Sequence, residues 1–254
     1  MRVSLLQTEL HWHDAQANRQ MFAQKIEQLP ETDVIILPEM FTTGFSMEAP
    51  ALAEEMNGET LPWLQEMARD TGAAVTGSVI IQENGSYYNR LFWVFPNGTH
   101  QQYDKRHLFR MAGEHHVYAP GQERLVVEWK GWRICPLVCY DLRFPVWSRN
   151  AALAYDLLLY VANWPERRRL AWQSLLRARA IENLCYCVGV NRVGTDANGH
   201  TYAGDSAVYS PVGEELFYAE FTEATPTIVL SKEELDTYRQ KFPAYLDADS
   251  FTIE

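Results

Sequence analysis

Short runs of apolar residues, separated by stretches with a helical pattern, are the feature that most constrains the fold of this chain. The run Val34-Ile35-Ile36-Leu37 is apolar at every position, and residues 156–162 contain a similar run. Strands that are apolar at every position are typical of sheets covered on both faces. Strands that alternate with helices predict a layered α/β domain.

Helix and turn signals separate these runs. Asp14 can cap a helix that ends near Gln28, and Gly72 closes a second predicted helix over residues 60–70. Asn84-Gly85 is a strong signal for a hairpin between two strands. A long helix is predicted over residues 166–183.

The order of these elements indicates the architecture. Residues 1–105 give the order strand, helix, strand, helix, strand, strand, and residues 125–230 give a similar series. The two halves predict two mixed sheets packed face to face, with helices on the outer sides. Because no Gly/Ser-rich linker divides the chain, we predict one domain over residues 1–254. Its core covers about 1–232, and a C-terminal tail covers about 233–254.

Charge limits the classes of partner. The formal net charge is −11, whereas a nucleic-acid binder usually carries a basic face. The basic run Arg167-Arg168-Arg169 is typical of the solvated start of a helix. The apolar stretch at the N-terminus is too short for a signal peptide, and no window is long enough to span a membrane. We therefore expect a cytoplasmic protein without a nucleic-acid or membrane partner.

The chain has four cysteines, at positions 135, 139, 185 and 187. A disulfide framework is not expected in a cytoplasmic chain of this length. Along one strand, Cys135 and Cys139 would lie about 13 Å apart, too far to share a zinc ion with bonds of about 2.3 Å. We therefore predict no metal site. Cys135, Cys185 and Cys187 are typical of core residues in strands.

Three reactive side chains each lie at or near the C-terminal end of a predicted strand, where open α/β sheets bind ligands. Glu39 follows the run that ends at Leu37, Lys105 ends a short strand over residues 101–105, and Cys139 follows the strand over residues 132–138. Taken singly, each has an ordinary explanation as a solvated loop acid, a surface lysine or a core cysteine. Taken together, they supply the groups that amide hydrolysis requires. The acid removes the thiol proton, sulfur attacks the carbonyl, and lysine with a backbone N–H stabilises the oxyanion.

Three segments, in this order along the chain, resemble the motifs of the nitrilase superfamily of carbon–nitrogen hydrolases: Leu-Pro-Glu at 37–39, Asp-Lys-x-His-Leu-Phe at 104–109 and Cys-Tyr-Asp-x-Arg-Phe-Pro at 139–145. The resemblance implies a four-layer α-β-β-α sandwich and a Glu39–Lys105–Cys139 triad. It also implies that Glu114 assists by orienting the lysine and the substrate amide, and that the Tyr140 backbone N–H is an oxyanion donor. The superfamily needs no metal or organic cofactor and commonly forms homodimers.

The sequences of the Cys139 motif and of the 163–165 loop are similar to those of bacterial omega-amidases. This similarity implies a short 2-oxo acid amide such as 2-oxoglutaramate as the substrate. Arg143 is then expected to bind the distal carboxylate through a bidentate pair, unless it forms a structural ion pair with a neighbouring acid. Phe41 and Trp164 are expected to wall the pocket, although core packing explains aromatic residues equally well. The alternatives are another amidase of the superfamily, acting on deaminated glutathione or a carbamoyl amine, and a non-catalytic dimeric scaffold.

Overall fold

The computed structural model describes residues 1–252. Its strands, in chain order, are β1 (Arg2–Leu5), β2 (Val34–Ile36), β3 (Ala74–Glu83), β4 (Ser86–Val94), β5 (His100–Asp104), β6 (Val127–Trp129), β7 (Trp132–Val138), β8 (Leu157–Ala162), β9 (Tyr186–Asn191), β10 (Val193–Thr195), β11 (Thr201–Tyr209), β12 (Glu215–Glu220) and β13 (Thr227–Val229). Its α-helices are α1 (Ala15–Glu27), α2 (Ala49–Leu52), α3 (Thr60–Thr71), α4 (Pro145–Ser148), α5 (Arg169–Asn183) and α6 (Lys232–Lys241).

The strands form two mixed sheets. The first has the order β13-β1-β2-β3-β4-β5, and β1, β2 and β3 run parallel. The second has the order β10-β11-β9-β8-β7-β6, with β12 paired to β11, and β7, β8 and β9 run parallel. One apolar core joins the inner faces of both sheets, from Val3 and Ile36 on one side to Ile134 and Leu159 on the other. The predicted face-to-face packing is therefore confirmed.

Helices cover the outer faces. Asp14 accepts a hydrogen bond from the N–H of Ala17 and caps α1, as predicted, and Gly72 ends α3 with a positive φ of 68°. On the second sheet, α5 approaches β9 closely at Gly189, because a Cβ there would lie 2.4 Å from a methyl carbon of Leu176. The alternation of strands and helices in the sequence thus predicted all four layers.

The second half contains more strand than the sequence indicated. β10 was not predicted, and only the last three residues of β11 were. Gly204 and Asp205 both have positive φ and interrupt the register of β11 with β12. A bulge interrupts the alternation of apolar and polar residues along a strand, so the sequence pattern did not predict the first part of β11. A Cβ on Gly204 would lie 2.3 Å from the side chain of Gln7, which fills that space.

The C-terminal helix α6 is tied to the second sheet. Arg239 donates to Asp156 at 2.7 Å and to the carbonyl oxygens of Tyr155 and Leu184. The hydrogen bonds of Arg239 attach α6 to the second sheet and so favour a single domain. The assignment of residues 1–254 to one domain stays a prediction. Within residues 1–252, no helix combines the length and the apolarity that crossing a membrane requires.

Candidate active site

Cys139 stands at the abrupt end of strand β7. It begins a 3₁₀ turn, Cys139–Arg143, and has a positive φ of 45°, a strained conformation for a residue other than glycine. Its side chain lines a cavity of about 530 Å³, a volume typical of small-molecule sites. The N–H of Tyr140, the second residue of the turn, has no partner inside the turn because the first N–H groups of a helix are left free.

Asp141 holds this turn against the segment that carries Lys105. Its two oxygens accept hydrogen bonds from the Tyr103 hydroxyl at 2.8 Å, the His107 backbone N–H at 3.0 Å and the Val138 N–H at 3.1 Å, and one lies 2.8 Å from the His107 ring. Asp141 is completely buried. The Cys-Tyr-Asp motif contained this residue, but its sequence position gave no indication of the partners it joins.

Lys105, Glu39 and Glu114 form one buried cluster. The Lys105 Nζ lies 2.9 Å from Oε1 of Glu39, and 2.9 and 3.0 Å from the two oxygens of Glu114. Both glutamates are fully shielded from solvent, so the solvated-loop explanation of Glu39 is wrong. Lys105 and Cys139 both line the cavity. The three-dimensional structure therefore brings together the three residues that the sequence motifs singled out, with Glu114 beside them.

The environment sets the protonation states of the cluster. Burial raises the pKa of the Cys139 thiol well above its ordinary value and the charge of Glu39 raises it further, while Lys105 lowers it. Burial lowers the pKa of Lys105, but Glu114 and Glu39 outweigh burial and hold it well above its ordinary value. Burial also raises the pKa of Glu114. At neutral pH the resting site therefore contains a protonated thiol and a charged lysine.

Two asparagines fix Glu39 in place. Asn89 donates to Oε1 of Glu39 at 2.8 Å, and the backbone N–H of Asn163 donates to Oε2 at 2.8 Å. Both asparagines are buried. Neither was singled out from the sequence. For Asn89, the available signal was its position inside β4, where aromatic and apolar residues surround it. Burying an amide side chain costs free energy unless the amide is hydrogen-bonded.

The cavity contains two of the three residues expected to bind substrate. Arg143 and Trp164 line it, and the Arg143 guanidinium carbon lies 5.1 Å from the Trp164 ring centre. Arg143 forms no ion pair with any of residues 1–252, so the structural ion-pair explanation is wrong. Phe41 is a correction: its ring is buried in the core between the first sheet and its helices, packed edge-on against Phe22 and tilted against Trp63.

The basic run after Trp164 lies at the start of a helix, as predicted, but it does more than face solvent. Arg169 pairs with Asp205, but Arg167 and Arg168 line the cavity. Arg168 is half-buried and its guanidinium carbon lies 4.8 Å from the Phe109 ring centre. A charge run in a sequence cannot show that its helix starts at the edge of a cavity.

Comparison with known proteins decides the family. The family model described as Carbon-nitrogen hydrolase matches residues 2–240. The chain belongs to the carbon–nitrogen hydrolase family. It is 52% identical over 256 residues to the Omega-amidase YafV of Yersinia enterocolitica, covering 100% of this chain and 98% of the relative. It is 31% identical over 252 residues to the 2-oxoglutaramate amidase of Bacillus subtilis, covering 96% of each.

Solved structures of this carbon–nitrogen hydrolase family agree with the fold. A CN-hydrolase superfamily protein from Xanthomonas campestris, with an arsenic adduct in its active site, matches with a TM-score of 0.98 and 50% identity, over 100% of this chain and 99% of that one. Nit3 of Saccharomyces cerevisiae, a nitrilase superfamily member, matches with a TM-score of 0.85 at 22% identity, over 96% and 94%. The predicted nitrilase-type sandwich is confirmed, and the protein is a hydrolase of carbon–nitrogen bonds.

Proposed function

We propose that this protein is an omega-amidase, which hydrolyses the terminal amide of a short 2-oxo acid such as 2-oxoglutaramate to the 2-oxo dicarboxylate and ammonia. The observation that carries the proposal is the cluster at the cavity floor, where Lys105 lies 2.9 Å from Glu39 and shares the cavity with Cys139. The full-length similarity to one protein named omega-amidase and another named 2-oxoglutaramate amidase supports the choice of substrate.

In the first half of the reaction, Glu39 is the general base. It takes the Cys139 proton as sulfur attacks the amide carbon, because the raised pKa of the thiol leaves little thiolate beforehand. The carbonyl oxygen becomes an oxyanion, which the Lys105 ammonium and the Tyr140 N–H stabilise. Protonated Glu39 then gives its proton to the departing nitrogen. The carbon–nitrogen bond breaks, ammonia leaves, and a thioester to Cys139 remains.

In the second half, water replaces sulfur. Glu39 takes a proton from the water as its oxygen attacks the thioester carbon, and the same two donors stabilise the new oxyanion. The carbon–sulfur bond breaks, sulfur regains a proton from Glu39, and the carboxylic acid product leaves. Glu114 assists by holding Lys105 with both of its oxygens, so that the ammonium stays charged and oriented through both halves.

The far end of the substrate lies towards Arg143. This guanidinium is exposed in the cavity and has no acidic partner among the described residues, so its donors are free for a carboxylate. A planar guanidinium suits bidentate binding of a carboxylate. Trp164 provides an apolar wall for the carbon chain between the two ends.

The test is ammonia release from 2-oxoglutaramate. We expect activity in the wild type, its loss in Cys139→Ala with an unchanged circular dichroism spectrum, and retention in Cys135→Ala, where the thiol is buried in β7 away from the cavity. Full activity in Cys139→Ala would disprove the mechanism. A panel of amides tests the substrate: a strong preference for a longer amide, such as deaminated glutathione, would favour another amidase of the family.

We also propose a homodimer in which the C-terminal tail contacts the second copy. The tail carries exposed apolar side chains at Phe242, Leu246 and Phe251, and association would bury this surface. Sedimentation analysis should give a dimer for the full chain and a smaller dimer fraction after deletion of residues 242–254. A monomeric full chain would contradict the proposal.

A further inference from the structure

Two guanidinium groups on different elements line the same cavity. Arg143 belongs to the turn that begins with Cys139, and Arg168 lies in the short turn Glu166–Arg168 that precedes α5. We infer that Arg143 and Arg168 act as a pair that selects a 2-oxo acid amide and rejects the corresponding 2-amino acid amide, glutamine. The inference rests on the proposed function and names the feature of the substrate that this site distinguishes.

Both groups are held by aromatic rings instead of acids. Arg143 lies over Trp164 and Arg168 over Phe109, with the guanidinium carbons 5.1 and 4.8 Å from the ring centres. Within residues 1–252, neither side chain forms a hydrogen bond or an ion pair. Stacking on a ring leaves the N–H groups at the edge of a guanidinium free to donate. Besides the Lys105 ammonium and the exposed Arg167, the cavity therefore presents two guanidinium groups whose donors are unused and which form no ion pair with any described residue.

Within residues 1–252, the two acidic residues that line the cavity form no ion pair with Arg143 or Arg168. The oxygens of Asp196 already accept from the backbone N–H groups of Asn198 and His200 and from the Tyr202 hydroxyl, at 2.8 to 2.9 Å. Glu48 is the other acid that lines the cavity, and it is exposed.

The two arginines also affect one another. Burial lowers the pKa of Arg168, and the charges of Arg167 and Arg143 lower it further. A ligand anion between the two guanidinium groups would relieve this repulsion.

The groups at the end of the substrate opposite the scissile amide decide which amide binds well beside the two arginines. A 2-oxo acid presents only acceptors there, namely two carboxylate oxygens and the adjacent ketone oxygen. Two guanidinium groups can donate to all three. Glutamine carries an ammonium in place of the ketone, and this group has donors but no acceptor. Beside the arginine pair it would be repelled and left without a hydrogen-bond partner, which is how binding sites reject a close analogue.

The experiment compares three amides of equal chain length: 2-oxoglutaramate, glutaramate, which has no 2-substituent, and L-glutamine. The measured quantity is kcat/KM for ammonia release at low salt. For the wild type we expect the order 2-oxoglutaramate, glutaramate, glutamine. In Arg168→Gln we expect the ratio of 2-oxoglutaramate to glutamine to fall at least about tenfold, as when one charged hydrogen-bonding partner is removed. Arg177→Gln is the matched control, since Arg177 lies on α5 and pairs with the exposed Glu215 outside the cavity.

A second measurement needs no variant and covers the case in which Arg168→Gln does not fold. Raising the ionic strength screens charges. The wild-type ratio of kcat/KM for 2-oxoglutaramate to that for glutamine should therefore fall by about two- to fivefold between low and high salt. A ratio that is unchanged in Arg168→Gln, or unaffected by salt if that variant is unfolded, would overturn the inference and leave the omega-amidase proposal intact. Ammonia from none of the three amides in the wild type would overturn both.

Discussion

The hydroxyl of Tyr103 donates a 2.8 Å hydrogen bond to Oδ2 of Asp141, and this bond connects the two sheets beside Cys139, the proposed nucleophile. Tyr103 belongs to β5 of the first sheet, two residues before Lys105. Asp141 follows β7 of the second sheet, two residues after Cys139. The distance between the lysine and the sulfur thus depends on a bond that neither residue makes itself.

Removal of this bond should affect both stability and chemistry. In Asp141→Ala, the Tyr103 hydroxyl and the Val138 N–H are left buried without their acceptor. We expect the free energy of unfolding to fall by about 2–4 kcal/mol, and kcat to fall while KM for the amide changes little. Urea unfolding and steady-state kinetics measure the two effects. Asp141→Asn, which keeps one acceptor oxygen, should recover part of each, and Asp70→Ala, at an exposed position of α3, is the control. A normal kcat in a folded Asp141→Ala variant would contradict the positioning role.

The two glutamates beside Lys105 should be separable by kinetics. Glu39→Gln removes the proposed base and should lower kcat by about 10²- to 10⁴-fold. Glu114→Gln removes one of the two negative charges that hold the pKa of Lys105 high against burial. The Lys105 pKa should therefore fall, and activity should be lost at a lower pH on the alkaline side of the kcat profile. If kcat were lost at the same alkaline pH in the wild type and in Glu114→Gln, Glu114 would not be what holds the pKa of Lys105 high.

Sequence motifs predicted which acid, lysine and thiol would lie together better than they predicted the walls of the cavity. Glu39 and Lys105 follow strands of the first sheet and Cys139 follows a strand of the second, and the ends of these strands meet at the cavity. Phe41 shows where this reasoning fails. It is two residues beyond Glu39, but its ring turns away into the core, where a Cβ on Gly77 would lie 3.0 Å from it. The direction of a side chain in a loop depends on tertiary packing, which local sequence does not determine.

Acid should weaken the attachment of the C-terminal helix at Asp156. This buried carboxylate accepts from Arg239 and Lys232 at 2.7 Å and from Arg133 at 3.2 Å. Burial alone would raise its pKa, but these hydrogen bonds outweigh burial and lower the pKa from 3.8 to about 2. A carboxyl group whose pKa is lower in the folded state stabilises the fold above the unfolded pKa, and this stability is lost as the pH falls through the folded value.

The corresponding measurement is urea unfolding between pH 7 and pH 2. The gap between the wild type and Asp156→Asn should be largest above about pH 5 and should shrink by about 1–2 kcal/mol as the pH falls from about 4 to 2. Asp70→Asn, at an exposed position of α3 and without an ion pair in the described part of the chain, is the control. A gap between the wild type and Asp156→Asn that is constant over this range would mean that the ion pairs do not lower the pKa of Asp156.

Backbone strain at Cys139 gives a prediction that concerns stability alone. Cys139 has a φ of 45°, where a Cβ atom crowds the following carbonyl and costs about 1–2 kcal/mol. Glycine has no Cβ and adopts this conformation freely. Cys139→Gly should therefore be more stable than Cys139→Ala by about 1 kcal/mol, although both variants lack the sulfur and should be inactive. The matched pair Cys135→Gly and Cys135→Ala, at an extended position in β7, should give the opposite order, because glycine weakens a strand. If Cys139→Gly proved less stable than Cys139→Ala in urea unfolding, the strained geometry of the turn would be refuted.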